Sequence, residues 1–406
     1  MGLVDTAVLG HLSARAQAGA GLGTSLSFTL LFFGMGVMLA LDPLVSQAVG
    51  AGKPREARHH LWQGVWLALL TSVPVMLVTA AIPLALPLVG VRPEVADDAG
   101  RFMWWRLGAA PGALLFIGLR SYLQGVGRAS VALWAMVLAN LLNLGLDLVL
   151  VFGAGPIPPL GIAGAALATV ASTWAQLGVL ALSLGPSPPG VRRAPDREAL
   201  RRAARLGIPV GLHFIAESGV FSLTGVLAGR MGPIESAAHQ AALTWASLTF
   251  SVAAGIGSAA ATRVGWAIGA GDRPRARMAG LVALWIVVAF MLLSSVIMLL
   301  APRLLAGTMS SDAQVISVVV SLVFVAAVFQ VSDGLQAVGA GALRGAGETA
   351  YTFRANVLGH WLLGLPVAVV LGFGFELGVV GLWWGLSAGL TGVAVALVRR
   401  FLALMR

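Results

Sequence analysis

Three polar residues interrupt one of the most apolar stretches of this sequence. Asn140, Asn143 and Asp147 lie in the segment ANLLNLGLDLVLVFG, three and four residues apart, a spacing that puts them on one face of a helix. A carboxylate beside amide and hydroxyl oxygens binds a cation, or holds a proton when burial favours the neutral acid. Hydrogen bonding that only fixes helix packing is the alternative, but asparagine alone would suffice for it. We therefore predict an ion or proton site, which Thr169 could complete.

Further acidic residues lie inside or at the margin of apolar segments. An ionised side chain at the centre of a membrane helix costs about 2.5–3.5 kcal/mol, so each one needs a reason. Glu217 follows the helix-perturbing Pro209, and Asp333 is flanked by the supporting polar residues Gln330 and Gln336. We predict that Glu217 and Asp333 form a second ion or proton site. The alternative for both is an acid that reaches to the membrane interface.

Two acidic residues come early in the chain. Asp5 is expected to join Asp147 at the first site. Asp42 directly precedes Pro43 near a predicted helix end, so we expect it to serve packing or gating and not ion coupling.

The elements that hold these residues must be membrane helices. Of the 406 residues, 58% are hydrophobic and 10% are charged, against about 25% charged in a soluble domain. The absence of cysteine excludes disulfides and thiolate metal sites. Apolar segments of the length that spans a membrane, roughly 20 residues or more, occur at 18–49, 59–89, 99–124, 129–153, 161–185, 203–229, 238–269, 278–302, 313–343, 351–373 and 377–398.

The first twelve residues are apolar but too short to cross a bilayer about 30 Å thick. They look like the end of a twelfth span. A start codon placed too far downstream is the favoured explanation, and a true eleven-span protein with its N-terminus outside is the alternative.

Basic residues concentrate in alternate loops. One set includes Lys53, Arg55 and Arg58, together with the arginines of the proline-rich stretch 186–205. Because positively charged loops stay in the cytoplasm, we predict that these loops face it and that the protein is a multi-pass protein of the cell inner membrane. The net charge of +10 is not gathered into a patch with aromatic residues, so no nucleic-acid partner is expected.

The chain contains an internal repeat. VSQAVGAGKPREAR at 45–58 aligns without gaps with VGWAIGAGDRPRAR at 264–277, and LQGVGRASVALWAMVL from Leu123 aligns with LRGAGETAYTFRANVL from Leu343. LGIAG at Leu160 returns as LGVVG at Leu377. We predict an all-α polytopic membrane protein with two six-helix lobes as parallel repeats: lobe 1–187, cytoplasmic linker 188–202 and lobe 203–406. Rocking of two lobes about a central site would give alternating access.

Two motifs suggest a membrane hydrolase instead. Residues 385–389, GLSAG, fit the G-x-S-x-G pattern, and residues 269–272, GAGD, fit the GxGD pattern of intramembrane aspartyl proteases. The first lies in an apolar segment without a histidine partner, and the second has the loop sequence GAGK as its counterpart in the other repeat. We therefore expect no enzyme and no cofactor. A hydrolase would instead require Ser387 or Asp272, and not Asp147.

Four segments together resemble the MATE (multidrug and toxic compound extrusion) family. They are VDTAVLGHLS from Val4, LDPLVSQAVGAGKPREA from Leu41, NLGLDLVLVFG from Asn143 and SDGLQAVGAGALRGAGET from Ser332. The resemblance implies twelve helices in two lobes and export of organic cations driven by inward flow of H+ or Na+. This chain departs from the family pattern in lacking most of helix 1.

The resemblance also assigns residues and partners. Asp5, Asn143, Asp147 and Thr169 match the cation or proton site of the first lobe, and Glu217 and Asp333 match the acidic positions of the second. We expect small, mainly cationic organic substrates and a monomer in the lipid bilayer, with H+ or Na+ as the coupling ion. The alternative is a flippase for lipid-linked or polysaccharide substrates, whose central cavity would be more basic.

Overall fold

The computed structural model describes residues 1, 4–5, 8–9, 11–12 and 14–406, and this part of the chain is almost entirely helical. Its contacts divide it into two compact units. Unit 1 comprises residues 1–45 and 53–211, and unit 2 comprises residues 46–52 and 212–406. The lobe and linker boundaries predicted above stay a prediction.

Unit 1 is built from helices joined by short turns. They are α1 (Ala14–Met38), α2 (Leu41–Gly50), α3 (Pro54–Ala85), α4 (Pro93–Arg106), α5 (Ala109–Gly125), α6 (Ser130–Phe152) and α7 (Ile162–Leu182). The last five residues of α2 belong to unit 2, and the next helix, α8 (Arg197–Met231), starts in unit 1 and ends in unit 2.

The rest of unit 2 has the same construction. Its helices are α9 (Pro233–Gly269), α10 (Arg273–Leu300), the short α11 (Pro302–Gly307), α12 (Ala313–Gly345), α13 (Thr349–Gly374) and α14 (Gly378–Leu404). Two stretches of α13, Val357–Gly364 and Val370–Gly374, are wound as π-helix.

The described helices account for the predicted membrane spans. Ten of them, with α1 and α2 taken as one span, are long and apolar enough to cross a membrane. The pair α4 and α5, bent by 50° at the break between them, would make an eleventh. The prediction of eleven spans is therefore confirmed, with segment 99–124 as the bent pair. Pro111 explains the break, because it lacks the N–H that would continue the helix from α4.

The internal repeat is visible in the backbone as well as in the sequence. Glycines at equivalent positions of the repeated segments share left-handed φ angles, which glycine alone adopts without strain. The pairs are Gly52 and Gly271 (70° and 74°), Gly127 and Gly347 (81° and 86°), and Gly161 and Gly378 (55° and 59°).

Two other equivalent glycines, Gly50 and Gly269, lie where the end of α2 crosses the end of α9 within unit 2. A Cβ on Gly50 would overlap the carbonyl oxygen of Trp266, and a Cβ on Gly269 would overlap that of Gln47. Gln47 also donates a hydrogen bond from Nε2 to the Gly345 carbonyl at 2.9 Å. The two helices therefore meet backbone to backbone, as small residues allow in membrane proteins.

The stretch between α7 and α8, residues 183–196, is bound along α3. Arg58 is buried and donates to the carbonyl oxygens of Leu184 and Gly185 at 3.2 and 2.8 Å and to Ser187 Oγ at 3.0 Å. Its guanidinium also lies over the ring of Tyr122, at 5.4 Å.

One turn further along α3, Gln63 fixes the end of the same stretch. Its Nε2 donates to the Ala194 carbonyl at 2.9 Å, and its Oε1 accepts from the Asp196 backbone N–H at 2.8 Å. Asp196 in turn caps α8, and the backbone N–H of Ala199 holds the pKa of the Asp196 carboxyl below its usual range. Residues 183–196 therefore form part of unit 1 and not a free tether.

Replacement of Arg58 by methionine is expected to release this stretch. Hydrogen bonds to a charged group contribute about 1.5–3 kcal/mol, so trypsin should cut at Arg192 and Arg193 about tenfold faster. Limited proteolysis of the purified protein, followed on a gel, measures the rate. Arg55→Met is the matched control, because Arg55 is exposed on the same helix. Equal rates in the two variants would contradict the clamping role of Arg58.

Candidate functional site

A buried polar cluster in unit 1 is centred on Asp5. Asn143 Nδ2 donates to Asp5 Oδ1 at 3.2 Å, and the Thr169 hydroxyl donates to Oδ2 at 2.7 Å. All three side chains are excluded from solvent. The structure thus brings together three of the four residues that the sequence assigned to the first site.

Asp147, the fourth, lies one turn after Asn143 on α6. Its side chain is fully buried, and neither carboxylate oxygen has a hydrogen-bond partner in the described part of the chain. It interacts electrostatically with Asp5 and with the N-terminal amino group, and Asp5 interacts with the guanidinium of Arg106. A buried acid that accepts no hydrogen bond is stabilised when it carries a proton or binds a cation. The arrangement can therefore take up and release a positive charge.

Asn140 does not join this cluster. Its side chain is exposed, and its Nδ2 donates to the Met136 carbonyl of the same helix at 2.8 Å. Its Oδ1 accepts from the amino group of Met1 at 2.6 Å. The predicted polar stripe is therefore buried only at Asn143 and Asp147.

Small side chains let α6 and α7 hold the cluster. The buried face of α6 is an evenly spaced row, whereas large apolar residues such as Trp134 and Leu148 are exposed on its other faces. On α7, Gly164 packs directly against the Leu150 backbone, so the helices approach closely. The row consists of Ala132, Ala135, Ala139, Asn143, Asp147 and Val151.

Unit 2 contains a second cluster, centred on Glu217 of α8. Gln336 of α12 donates through Nε2 to Glu217 Oε1. His213, one turn earlier on α8, places Nε2 3.3 Å from Glu217 Oε2. Both carboxylate oxygens therefore face a nitrogen.

Asp333 and Gln330 of α12 differ in their relation to this cluster. Asp333 is buried one turn before Gln336 and interacts electrostatically with Glu217. Gln330 donates to Thr249 Oγ1 at 3.0 Å and to Met298 Sδ at 3.2 Å, so its amide nitrogen bonds α9 and α10 instead of Glu217.

Two histidines near Glu217 were missed by the sequence reasoning. His213 is the first, and its spacing of four from Glu217 was a usable signal. The other is His360 of α13, which interacts electrostatically with Glu217. Asn356 precedes His360 by four residues on α13. Both are fully buried, and none of their side-chain nitrogens and oxygens has a partner among the described residues.

A cavity of about 470 Å³ lies between α8 and α9 in unit 2. Its walls combine apolar and hydroxyl-bearing side chains with one imidazole, that of His239. Trp383 Nε1 can only donate, and it contacts His239 Nδ1 at 3.1 Å, so the His239 proton is on Nε2. The lining includes Ser218, Phe221, Ser222, Ser236, Gln240 and Leu243.

The remaining candidates lie at a helix end or within a helix. Asp272 caps α10 by accepting from the Arg275 N–H at 2.9 Å, and Ser387 is buried within the continuous helix α14. Asp42 is buried in the first turn of α2. In the described part of the chain, no group of three or more His, Asp or Glu side chains could hold a metal ion.

Known proteins are similar to this chain over most of its length. The family model MatE matches residues 1–149 and 209–370. A probable multidrug resistance protein NorM of Burkholderia pseudomallei is 38% identical over 412 residues, which cover 99% of this chain and 88% of the relative.

Solved structures agree on the fold. The eukaryotic MATE transporter AtDTX14 superposes with a TM-score of 0.88 at 26% identity, over 99% of this chain and 90% of that one. A Pyrococcus furiosus transporter of the MOP superfamily, described as having a binding pocket of reverse polarity that suggests a different function, superposes with a TM-score of 0.90 at 22% identity, over 99% and 91%. The predicted fold is confirmed, because these neighbours are transporters with two lobes and twelve helices.

The family match covers most of the chain, and the NorM relative is aligned over nearly all of it. The resemblance inferred from four short segments is therefore correct, and no enzyme activity is expected. This chain belongs to the MatE family and is a multi-pass membrane transporter for multidrug efflux.

Proposed function

We propose that this chain is a secondary antiporter of the cell inner membrane that exports small, mainly cationic organic compounds in exchange for H+ or Na+. The observation that carries the proposal is the unit 1 cluster, in which Asp147 and Asp5 are buried together. Asp147 accepts no hydrogen bond from a described donor and lies beside Asp5, so a proton or a cation between the two acids would relieve their repulsion.

Exchange follows if the ion and the cargo stabilise different states of the transporter. A ligand shifts a conformational equilibrium only by its difference in affinity for the two states. When H+ or Na+ binds the Asp5–Asp147 cluster, the state that retains cargo is disfavoured, and cargo binding opposes ion binding by the same factor. The inward ion gradient then drives outward transport. One copy of the chain carries both kinds of site, which supports a monomer.

The cargo class is supported by the surfaces available in unit 2. The cavity between α8 and α9 offers Phe221 and Leu243 for apolar contact and serine hydroxyls for hydrogen bonds, a mixture typical of sites for small organic molecules. Glu217 lies one turn from Phe221 on α8, and its negative charge favours cations.

A flippase for lipid-linked or polysaccharide substrates is the second candidate. It is favoured by one comparison, because the Pyrococcus furiosus transporter with the same fold is described as having a pocket of reverse polarity. The fold therefore leaves the charge of the cargo open. The acidic residues Asp5, Asp147, Glu217 and Asp333 support the cationic cargo for this chain.

Ethidium efflux from cells that lack their own pumps tests the proposal. We expect efflux by the wild-type chain that stops when either a protonophore or removal of sodium abolishes the driving gradient. The variant Asp5→Asn should lose most of the efflux. Asn143 and Thr169 each donate a hydrogen bond to one oxygen of the Asp5 carboxylate, and an asparagine side chain has only one acceptor oxygen. Absence of efflux by well-folded wild-type protein would favour the flippase.

A further inference from the structure

The second cluster differs from the first in how its carboxylate is surrounded. Glu217 Oε1 accepts from Gln336 Nε2, and Oε2 lies 3.3 Å from His213 Nε2. Sodium, like other hard cations, is bound by several oxygen ligands. A nitrogen therefore lies at each oxygen of Glu217, and hydrogen atoms on these nitrogens oppose the approach of a metal ion, whereas the His213 ring can exchange a proton with Oε2. This geometry favours exchange of a proton over binding of a metal ion.

We propose that His213 and Glu217 form a proton-exchange pair, and that His360 and Asn356 hold the water that connects it, so that unit 2 exchanges H+ and not Na+. The inference deepens the proposed function, on which it rests, by naming the ion of one site.

Unpartnered polar atoms on α8 and α13 support the presence of water. His213 Nδ1, both ring nitrogens of His360 and both side-chain polar atoms of Asn356 are buried without a partner among the described residues. Buried polar groups of this kind are normally satisfied by internal water. The π-helical turns that begin at Val357 support this, because π-helical turns within helices are frequent at functional sites.

The charged and titratable groups around Glu217 come from three helices. His213 is on α8 with Glu217 itself, Asp333 is on α12, and His360 is on α13. Phe221 of α8 places its ring 6.3 Å from that of His360, so the α13 imidazole lies beside the same stretch of α8. Both imidazoles thus interact with Glu217, which also interacts with Asp333.

The transfer needs no other reactant. A proton from water binds His213 at the free Nδ1 and makes the ring an imidazolium. The Nε2–H bond then breaks as an O–H bond forms at Glu217 Oε2, which leaves a neutral ring and a neutral acid. The reverse sequence returns the proton to water through the same two nitrogens.

Infrared difference spectroscopy of the purified full-length protein tests this directly. The C=O stretching band of protonated carboxyl groups is followed between about pH 5 and pH 8, the range in which histidine titrates. The component of this band that is absent in Glu217→Gln is assigned to Glu217. We expect His213→Gln to move the midpoint of this band by about one pH unit, a tenfold change in proton affinity. His11→Gln, at an exposed histidine of unit 1, should not move it.

Sodium provides a second test, which uses only the wild-type protein and the Glu217→Gln variant that assigns the band. Addition of NaCl in place of choline chloride should leave the Glu217 band of the wild-type protein unchanged. Three results would each overturn the inference. Sodium could abolish the band, the midpoint in His213→Gln could equal that of the wild type, or no band could be attributable to Glu217. Because the spectra do not depend on transport, a chain that fails to export ethidium would disprove the proposed function without affecting this result.

Discussion

Replacement of Asp147 by asparagine is expected to reduce ion-driven efflux at least about tenfold, the size of a typical coupling free energy between two sites. Asparagine has nearly the same shape, so the packing of α6 against α7 should persist. It cannot take up a proton or neutralise a cation, and Asp147 is the acid of the first cluster with both oxygens free of partners in the described residues. Ethidium efflux, normalised to the amount of protein in the membrane, measures the loss.

The matched control is Asp97→Asn, since Asp97 is an exposed acid of α4 in the same unit. It should export ethidium at the wild-type rate. If Asp147→Asn also does so, the buried carboxylate serves packing alone and the first cluster is not the coupling site. If both variants are inactive, the defect lies in folding, which a melting curve would show.

The second large effect is expected at the crossing of α2 and α9. Alanine at Gly50 or at Gly269 would place a Cβ onto a backbone carbonyl of the opposite helix, which cannot move aside as a flexible side chain can. Overpacking of this kind costs about 1–3 kcal/mol in ordinary cores, and a backbone obstacle puts it at the upper end. We expect each variant to melt several degrees below the wild type and to lose most of its transport.

Gly255→Ala provides the comparison for that experiment. Gly255 is on α9 as well, and a Cβ there would meet nothing within 4 Å. Its melting temperature, measured by fluorescence-detected size-exclusion chromatography, should equal that of the wild type or exceed it slightly, because alanine favours the helix. Wild-type melting of Gly50→Ala and Gly269→Ala would show that the helices separate easily at this point.

The sequence predicts the spans well because lipid leaves the backbone few choices. An apolar segment of sufficient length must be helical, since each N–H and C=O has to be bonded within the segment. The break between α4 and α5 was not predicted, although Pro111 marks it. Proline lowers the stability of a helix without fixing whether it bends or continues.

The candidate sites were predictable in part. Acidic residues are rare in apolar segments, so the positions of Asp5, Asp147, Glu217 and Asp333 could be found from the sequence alone. The burial of Asn143 and the exposure of Asn140 could not be predicted. Their spacing shows that they share one face of a helix, but not how far along the helix neighbouring helices cover that face. His213 and His360 were missed because histidine is common in many structural roles and its partners come from distant segments.

Insertion of a reporter domain into this transporter is constrained by the stretch 183–196. Carbonyl groups near both of its ends are bonded to side chains of α3, so a domain placed near Leu184 or Ala194 would have to displace those bonds. Gly190 is exposed, has a φ of 78°, and lies between the two bonded ends. A fluorescent protein or a cleavage sequence inserted at Gly190 would leave both ends anchored, which makes that residue the natural position for splitting or labelling the chain.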